Sequence, residues 1–151
     1  MTTAQAIQQI FGELIGHELH AGHHRDDDVR TPGINPFGPG ALLKWRDHDW
    51  FTTATNVQVH PVAEDLFRVA IRYSWHKKTQ YFAAPGVKTR DDENAGGTGL
   101  VEFEVEVARG IHMYVIRRTV VLTGGDGPSA HPILEFAYSK NGTSIQTYSF
   151  A

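Results

Sequence analysis

The sequence predicts an α+β fold in which an N-terminal helix packs on a strongly curved antiparallel sheet of six or seven strands. Apolar residues recur at helical spacing near the N-terminus, and from residue 56 onward they alternate with a period of two. The chain has 151 residues, of which 40% are hydrophobic, so it can bury one core and little more. We therefore expect a single domain over residues 1–151.

The first helix is expected within residues 1–22, where apolar side chains recur every three or four positions and polar side chains occupy the other faces. The apolar positions are Ile7, Ile10, Phe11, Leu14 and Ile15. Thr2 or Thr3 is expected to cap this helix, which should run to His20, because a hydroxyl there can accept a hydrogen bond from a free first-turn amide. Gly22 is the expected stop.

Residues 23–55 are expected to hold a loop and a short helix. Proline and glycine recur between residues 32 and 40 without a regular period, which favours an extended loop over 23–40. The segment Ala41 to Thr53 carries Leu, Trp and Phe at spacings that predict a short helix, with its charged residues facing outward or lining an opening.

β-branched and aromatic residues dominate the rest of the chain, so residues 56–151 are expected to form antiparallel sheet. Longer loops are predicted at 85–99 and 124–130, where glycine and proline are concentrated. Strands are predicted at 56–62, 66–76, 79–83, 100–109, 111–123, 132–139 and 143–150.

The first predicted hairpin has a defined register, because loop length decides which residues lie opposite each other. A three-residue loop at 63–65 places Val57 opposite Ile71 and Val59 opposite Val69. Asp65 is then expected to adopt the left-handed backbone conformation.

Two further hairpins are predicted from two-residue turns. Asn141 and Gly142 are typical of a type I′ turn, since both residues tolerate positive φ. The other turn, at 109–110, predicts four cross-strand pairs on one face. These pairs are Val107 with His112, Val105 with Tyr114, Phe103 with Ile116, and Val101 with Arg118.

The inward positions of these strands form one mainly apolar face, which the N-terminal helix is expected to cover because an antiparallel sheet buries its dry face. Polar groups also fall on that face, and buried polar groups need partners or a ligand. They are His112, Arg118 and the hydroxyls of Tyr73, Tyr114 and Tyr138.

This order of elements resembles the NTF2-like family, also called the cystatin-like or SnoaL-like α+β cone. The resemblance rests on the helix at 4–20, the segment 41–53 in the place of the last helix, the hairpin at 56–76 and the long strands at 100–123. It implies a cavity between helices and sheet, in which many members act as isomerases, cyclases, dehydratases or epoxide hydrolases on small apolar molecules, while others only bind or dimerise. A closed antiparallel barrel of the lipocalin or dirigent type is the alternative fold.

The expected catalytic residues are His112, Tyr114, Arg118 and Asp49. His112 is expected to carry a proton, and Tyr114 to donate a hydrogen bond to a substrate oxygen. Arg118 is expected to stabilise an anion or enolate, because an apolar face excludes water and strengthens polar contacts.

Asp49 belongs to the segment 46–49, which holds an imidazole, a cation and two carboxylates between Trp45 and Trp50. At a pocket rim these groups suit general acid–base work, since a carboxylate desolvated beside tryptophan should have a raised pKa. The alternative is a polar surface anchored by the two tryptophans. The expected ligand contacts are Tyr73, Trp75, Trp45, Trp50, Phe103, Phe136 and Tyr138.

These residues predict a small-molecule cavity enzyme that isomerises, cyclises, hydrates or dehydrates an apolar substrate by general acid–base chemistry. The alternative is a non-catalytic ligand-binding or dimerisation module of the same fold. Met113 and Val115, apolar residues on the more exposed face, indicate a homodimer through the sheet in that case.

Several function classes are disfavoured by the sequence. A net charge of −3 disfavours nucleic acid as a partner, and no glycine-rich phosphate loop follows a predicted strand. No segment has the roughly 18 consecutive apolar residues of a membrane-spanning helix, so a cytoplasmic location is expected. The absence of cysteine excludes thiolate ligands and nucleophiles. No cofactor is expected.

His17, His20 and His24 have a spacing that could bind a metal on one side of a helix. Because Gly22 is expected to end the helix before His24, surface histidines without a metal are the favoured interpretation.

Overall fold

The computed structural model describes residues 2–27, 45–108, 113–123, 127–143 and residue 145, and of residues 27, 94, 95 and 121–123 it describes the backbone only. The strands are antiparallel and lie in sequence order, with β1 at one edge and β5 at the other. Within these ranges the sheet is not closed into a barrel, so the α+β class is confirmed and the closed-barrel alternative is wrong. The elements are α1 (Thr3–Gly12), β1 (Glu18–Asp27), β2 (Trp45–Ala63), β3 (Leu66–Ala84), β4 (Val87–Ala108), β5 (Met113–Thr123) and α2 (Gly127–Ser139).

α1 begins as predicted but ends earlier. The Thr2 hydroxyl accepts a hydrogen bond from the Gln5 amide at 3.1 Å, and the Gln5 side chain accepts one from the Thr2 amide at 2.8 Å, which together form a capping box. The predicted continuation to His20 is wrong. After Gly12 the backbone hydrogen bonds join residues three positions apart instead of four. Gly16, at φ 83°, then turns the chain into β1.

The segments predicted as a loop and a short helix contain strands. Residues 18–27 form β1, and residues 45–53 form the first half of β2, which pairs with β1 on one side and β3 on the other. The helix expected at 41–53 is therefore wrong for the described residues 45–53. Charged and aromatic residues lie on both faces of this half of β2, so no single apolar stripe marks the strand in the sequence.

The loop predicted at 85–99 is reduced to a tight turn. Pro85 and Gly86, the latter at φ 75°, join β3 to β4, and the ladder between the two strands begins at Ala84 and Val87. Glycine and charged residues are unfavourable in isolated strands, but here β3 supplies backbone partners for them.

The hairpin between β2 and β3 is confirmed. Val57 pairs with Ile71 and Val59 with Val69. Asp65 has φ 60°, as expected for the left-handed position of the loop.

The register between β4 and β5 differs from the prediction by two residues. Ala108 pairs with Met113, so Tyr114 lies opposite Val107 instead of Val105. An even shift leaves the faces unchanged. Tyr114 accordingly lies in the core, and the two-residue turn predicted at 109–110 lies outside the described residues.

The inward position of Arg118 is also wrong. Val105 pairs with Ile116 while Glu104 pairs with Arg118, so Arg117 is an extra residue in β5. One extra residue reverses which side chains face which side of the sheet. Arg118 is therefore exposed beside Glu104 on the face opposite Tyr114.

The strand predicted at 132–139 is wrong, because this segment belongs to α2. Ala130, Ile133 and Ala137 are buried at helical spacing, while His131 and Glu135 are exposed one turn apart. The short apolar run around Ile133 fits both the period of a helix and that of a strand, so the pattern alone does not distinguish the two.

Asn141 and Gly142 follow α2 instead of forming a hairpin turn. Gly142 has φ 81°, and its amide donates to the Tyr114 carbonyl at 2.8 Å. The Asn141 side chain accepts a hydrogen bond from the Ile116 amide at 2.9 Å. Of the strand predicted at 143–150, only residues 143 and 145 are described, and neither is in a strand.

The core lies against the sheet face that carries Val57, Val69 and Ile71, which we call the inner face. Phe11 of α1 contacts Phe103 and Tyr114 with ring centroids 5.0 and 5.7 Å apart. The fully buried large side chains are Tyr73, Tyr114, Phe11, Phe103, Ile7, Ile10, Ile71, Ile133, Ile145, Val69, Val101 and Val105.

Candidate functional site

The inner face changes from apolar to polar along β3. Val69, Ile71 and Tyr73 are buried in the core. Further along the same face, Lys77 lies beside Trp50 and Thr79 beside His48, both of β2, and His48 in turn lies beside His24 of β1. We call these residues the inner polar cluster. Its members are His24, Asp26, Arg46, His48, Trp50, Lys77 and Thr79.

Antiparallel pairing explains how this cluster forms. His24 pairs with His48, and His48 pairs with Thr79, so one row of three residues crosses three strands. Alternation along β1 places Asp26 on the same face as His24. Thr52, four residues from His48 along β2, donates to the Ser129 carbonyl at 2.5 Å, so the cluster lies just beyond the contact with α2.

Asp26 is shared between two imidazoles. Its Oδ1 lies 2.7 Å from His24 Nε2, and its Oδ2 lies 2.7 Å from His48 Nε2. His48 Nδ1 lies 3.1 Å from the Thr79 hydroxyl. His48 is 7% and Thr79 3% exposed, but 63% of the His24 side chain is exposed. The hydrogen-bonded chain thus runs from solvent into the protein.

The partners determine the imidazole tautomers. An ionised Asp26 only accepts hydrogen bonds, so Nε2 of both histidines is the donor. Nδ1 of neutral His48 then accepts from the Thr79 hydroxyl. Nδ1 of His24 has no hydrogen-bond partner in the described ranges, and in the neutral ring it carries the basic lone pair.

The charge on Asp26 is favoured by its surroundings. The hydrogen bond from His48 is the main reason that the pKa of Asp26 lies below its ordinary value, and the hydrogen bond from His24 acts in the same direction. Burial opposes them without reversing the direction. Asp26 is thus held as a carboxylate that orients both rings.

A second histidine–aspartate group lies on the opposite, outer face. Asp49 Oδ1 is 2.8 Å from His20 Nε2 and 3.0 Å from His23 Nδ1. Burial, the largest influence, raises the pKa of Asp49, but the two hydrogen bonds outweigh it and hold this pKa below its ordinary value. The raised pKa expected for a carboxylate beside tryptophan is therefore wrong for Asp49.

Trp45 belongs to the outer face as well. Its ring stacks on Phe82 with centroids 5.2 Å apart, and the Arg25 guanidinium lies 5.2 Å from its centre. Arg25 Nε also donates to the buried Asp47 carboxylate at 2.9 Å. These four residues, with Pro85 and Gly86, line an open cavity of about 460 Å³.

Trp50 lies within the inner polar cluster. Its ring centroid is 6.1 Å from that of His48, and the Lys77 ammonium lies 5.2 Å from its ring centre. The segment 46–49 and its flanking tryptophans therefore contribute to both faces, with Arg46, His48 and Trp50 on the inner one.

Other predicted site residues lie in the core. Tyr73, Tyr114 and Phe103 are at most 2% exposed. A role for Tyr114 in catalysis stays a prediction, and His112 lies outside the described residues. Trp75 and Phe136 are partly buried against the core.

Arg118 and Tyr138 are not brought together with these groups. Arg118 borders a cavity of about 230 Å³ on the outer face, with Arg68 and Glu104. Tyr138 is 54% exposed, and its hydroxyl lies 2.8 Å from that of Thr119.

His24, Asp26 and Thr79 are members of the site that the sequence did not predict. Spacing in the sequence relates His17, His20 and His24, yet pairing in β1 places His20 and His24 on opposite faces. The sequence does carry one signal for this site. His24 and Asp26 are two residues apart, as are Arg46 and His48, so in paired strands all four side chains would lie on one face and make it polar.

In the described ranges, no three His, Asp or Glu side chains are grouped in a way that could hold a metal ion. Neither of the two helices there is long and apolar enough to cross a membrane. Comparison of the chain with protein-family models, with curated proteins and with solved structures returned no match.

Proposed function

We propose that this protein is a small-molecule enzyme that uses general acid–base chemistry at the inner polar cluster, with His24 as the proton-transfer group. The observation that supports this proposal is the carboxylate of Asp26, bonded at 2.7 Å to the exposed His24 on one oxygen and to the buried His48 on the other.

Each residue has a distinct part. Asp26 accepts from His24 Nε2 and so directs the basic Nδ1 away from itself, the arrangement by which a carboxylate orients a catalytic imidazole. His48 and Thr79 are positioning residues, because they hold the second oxygen of Asp26 from the protein side. His24 Nδ1 then takes a proton from a carbon beside a substrate carbonyl, and the imidazolium returns it to another atom.

The surroundings favour an apolar substrate. Trp50 provides a flat ring within the cluster, and the same face continues into the apolar core at Tyr73 and Ile71. Isomerisation, cyclisation, hydration and dehydration each need one such proton transfer and no organic cofactor.

We also propose that the fold is an NTF2-like cone whose sheet curves around the helices. The initial helix, the long antiparallel strands and bulges such as those at Thr55 and Arg117 support it, since bulges bend strands. The order of elements departs from the one on which the resemblance rests in two places. β1 directly follows the first helix, and α2 follows β5. A cytoplasmic location stays a prediction.

The enzyme proposal is tested by deuterium exchange. The chain is incubated in D₂O with small cyclic ketones and enones, and deuterium entering the carbon beside the carbonyl is measured by NMR. We expect exchange above the buffer rate, lowered about 100-fold in His24→Gln, because a positioned base contributes roughly 10² to 10⁴ in rate.

The matched control is His20→Gln, which removes an imidazole bonded to a carboxylate at 2.8 Å on the outer face. It should leave exchange unchanged. No exchange with any ketone, or an equal loss in both variants, contradicts the proposal. Loss in Tyr114→Phe but not in His24→Gln would place the chemistry in the core instead.

The second candidate is the non-catalytic module. It is favoured by the filled core, where Phe11, Phe103 and Tyr114 are in edge contact and fully buried. Light scattering after size exclusion tests its dimer form. A dimer that binds ketones without exchange supports the module over the enzyme.

A further inference from the structure

We propose that the inner polar cluster recognises an organic carboxylate, whose charge pairs with Lys77 and whose flat apolar part lies against Trp50. The inference deepens the proposed function and rests on it, because it names the substrate class of the same face.

Among the inner-face residues that the structure describes, the arginines form ion pairs and Lys77 does not. Arg90 Nη2 lies 2.6 Å from an Asp92 oxygen, and Arg46 Nη2 lies 3.5 Å from an Asp26 oxygen. Lys77 forms no ion pair with any residue that the structure describes, and its side chain is partly buried. A ligand anion supplies the missing countercharge in a setting where charge-assisted hydrogen bonds are strong.

Lys77 is held above an aromatic surface. It pairs with Trp50 in the ladder between β2 and β3, and its ammonium lies 5.2 Å from the Trp50 ring centre. A ligand that stacks on this ring places a carboxylate substituent within reach of the ammonium. Its other end then lies toward His48, whose ring centroid is 6.1 Å from that of Trp50.

The start of α2 borders the same row. Gly22 pairs with Trp50, and a β-carbon at Gly22 would lie 3.7 Å from Cβ of Pro128, in the first turn of α2. A helix start carries about half a positive charge. This charge favours an anion near Trp50.

The test compares two probes of the same shape by isothermal titration calorimetry. 2-Naphthoate carries the carboxylate, and 2-naphthalenemethanol replaces it with a neutral hydroxymethyl group. We expect 2-naphthoate to bind at least about tenfold tighter, which corresponds to about 1.4 kcal/mol. Lys77→Gln should abolish the difference and Lys77→Arg should retain it.

Lys78→Gln is the matched control. Lys78 also lies over an aromatic ring, that of Phe51 at 5.6 Å, but on the outer face, and it is paired with Glu93 at 3.2 Å. This variant should keep the preference for 2-naphthoate. Equal binding of the two probes, binding of neither, or an equal effect of both lysine variants overturns the inference. Inorganic phosphate displacing 2-naphthoate at equal concentration would also overturn it, since the apolar part would then contribute nothing.

The two proposals fail separately. Ketone exchange uses neutral compounds and depends on His24, whereas the carboxylate preference depends on Lys77. Deuterium exchange into ketones with no preference for 2-naphthoate would contradict only the carboxylate inference. A preference for 2-naphthoate that depends on Lys77, with no deuterium exchange, would contradict only the proposed enzymatic activity.

Discussion

Gly99 lies opposite Tyr73 in the ladder between β3 and β4, and the phenol ring of Tyr73 fills the space that a β-carbon at Gly99 would need. Tyr73 is 1% exposed, so the ring has no room to move outward without disturbing the core. A residue without a side chain is therefore required at position 99 for this packing.

Gly99→Ala should destabilise the fold by about 1–3 kcal/mol, because the added methyl group displaces a buried ring. Urea unfolding measures the change. Gly12→Ala is the control, since a β-carbon at Gly12 meets no atom within 4 Å, and alanine in a helix should stabilise by about 0.5–1 kcal/mol. Equal effects of the two substitutions would contradict the packing argument.

Asp26→Asn should change how stability depends on pH. Hydrogen bonds from His48 and His24 lower the pKa of Asp26 in the folded protein, so its ionisation stabilises the fold above the unfolded pKa of about 3.9. That contribution is lost as pH falls through the lower folded pKa. The difference in unfolding free energy between wild type and variant should be fully developed by about pH 5 and shrink below about pH 4. A difference that does not vary with pH over this range would argue against the hydrogen bonds.

Position 65 should prefer glycine over alanine. Asp65 has φ 60°, a conformation that costs a residue with a β-carbon roughly 1–2 kcal/mol relative to glycine. Asp65→Gly should therefore be about 1 kcal/mol more stable than Asp65→Ala in thermal unfolding. The same pair of substitutions at Glu64 should show no such preference. Alanine being equal or better at position 65 would exclude the left-handed turn.

Asn141→Ala should loosen the contact between β5 and the segment after α2. The Asn141 side-chain oxygen accepts a hydrogen bond from the Ile116 amide at 2.9 Å, and its loss should cost about 1 kcal/mol. Amide hydrogen exchange at Ile116 reports this directly and should accelerate. Asn141→Asp keeps an acceptor oxygen and should retain the protection, whereas unchanged exchange in the alanine variant would count against the contact.

The β2–β3 hairpin could be predicted because local signals agree there. Val57, Val59, Val69 and Ile71 alternate on both sides of a short loop that contains Asp65, and only one register buries all four. The capping box of α1 is similarly local, since Thr2 and Gln5 are three residues apart.

The candidate site could not be predicted in the same way, because its contacts are distant in sequence. Asp26 meets His48 from another strand, 22 residues away, and His48 meets Thr79 31 residues away. Neither contact follows from the period of one segment. The polar ends of these strands have no apolar stripe. Hydrophobic periodicity therefore predicted no strand at β1 and predicted a helix in place of the first half of β2.

The end of α2 shows a different difficulty. Asn141 and Gly142 are a strong signal for reversing chain direction, and the chain does bend there, with Gly142 at φ 81°. Whether a helix or a strand precedes such a bend depends on the partners of Ile133 and Ala137 in the core, which the dipeptide does not specify.

Arg117, which has no partner in the ladder with β4, has a consequence for how this chain tolerates changes in length. Removing that single position would leave Ile116 opposite Val105 and Arg118 opposite Glu104 with no residue between them, so the side chains on both sides of the deletion would keep their present faces. The same deletion in a regular ladder would exchange the chemistry of the two sides of an edge strand. In β5, the bulge is therefore a position where the chain can lose one residue without altering either surface.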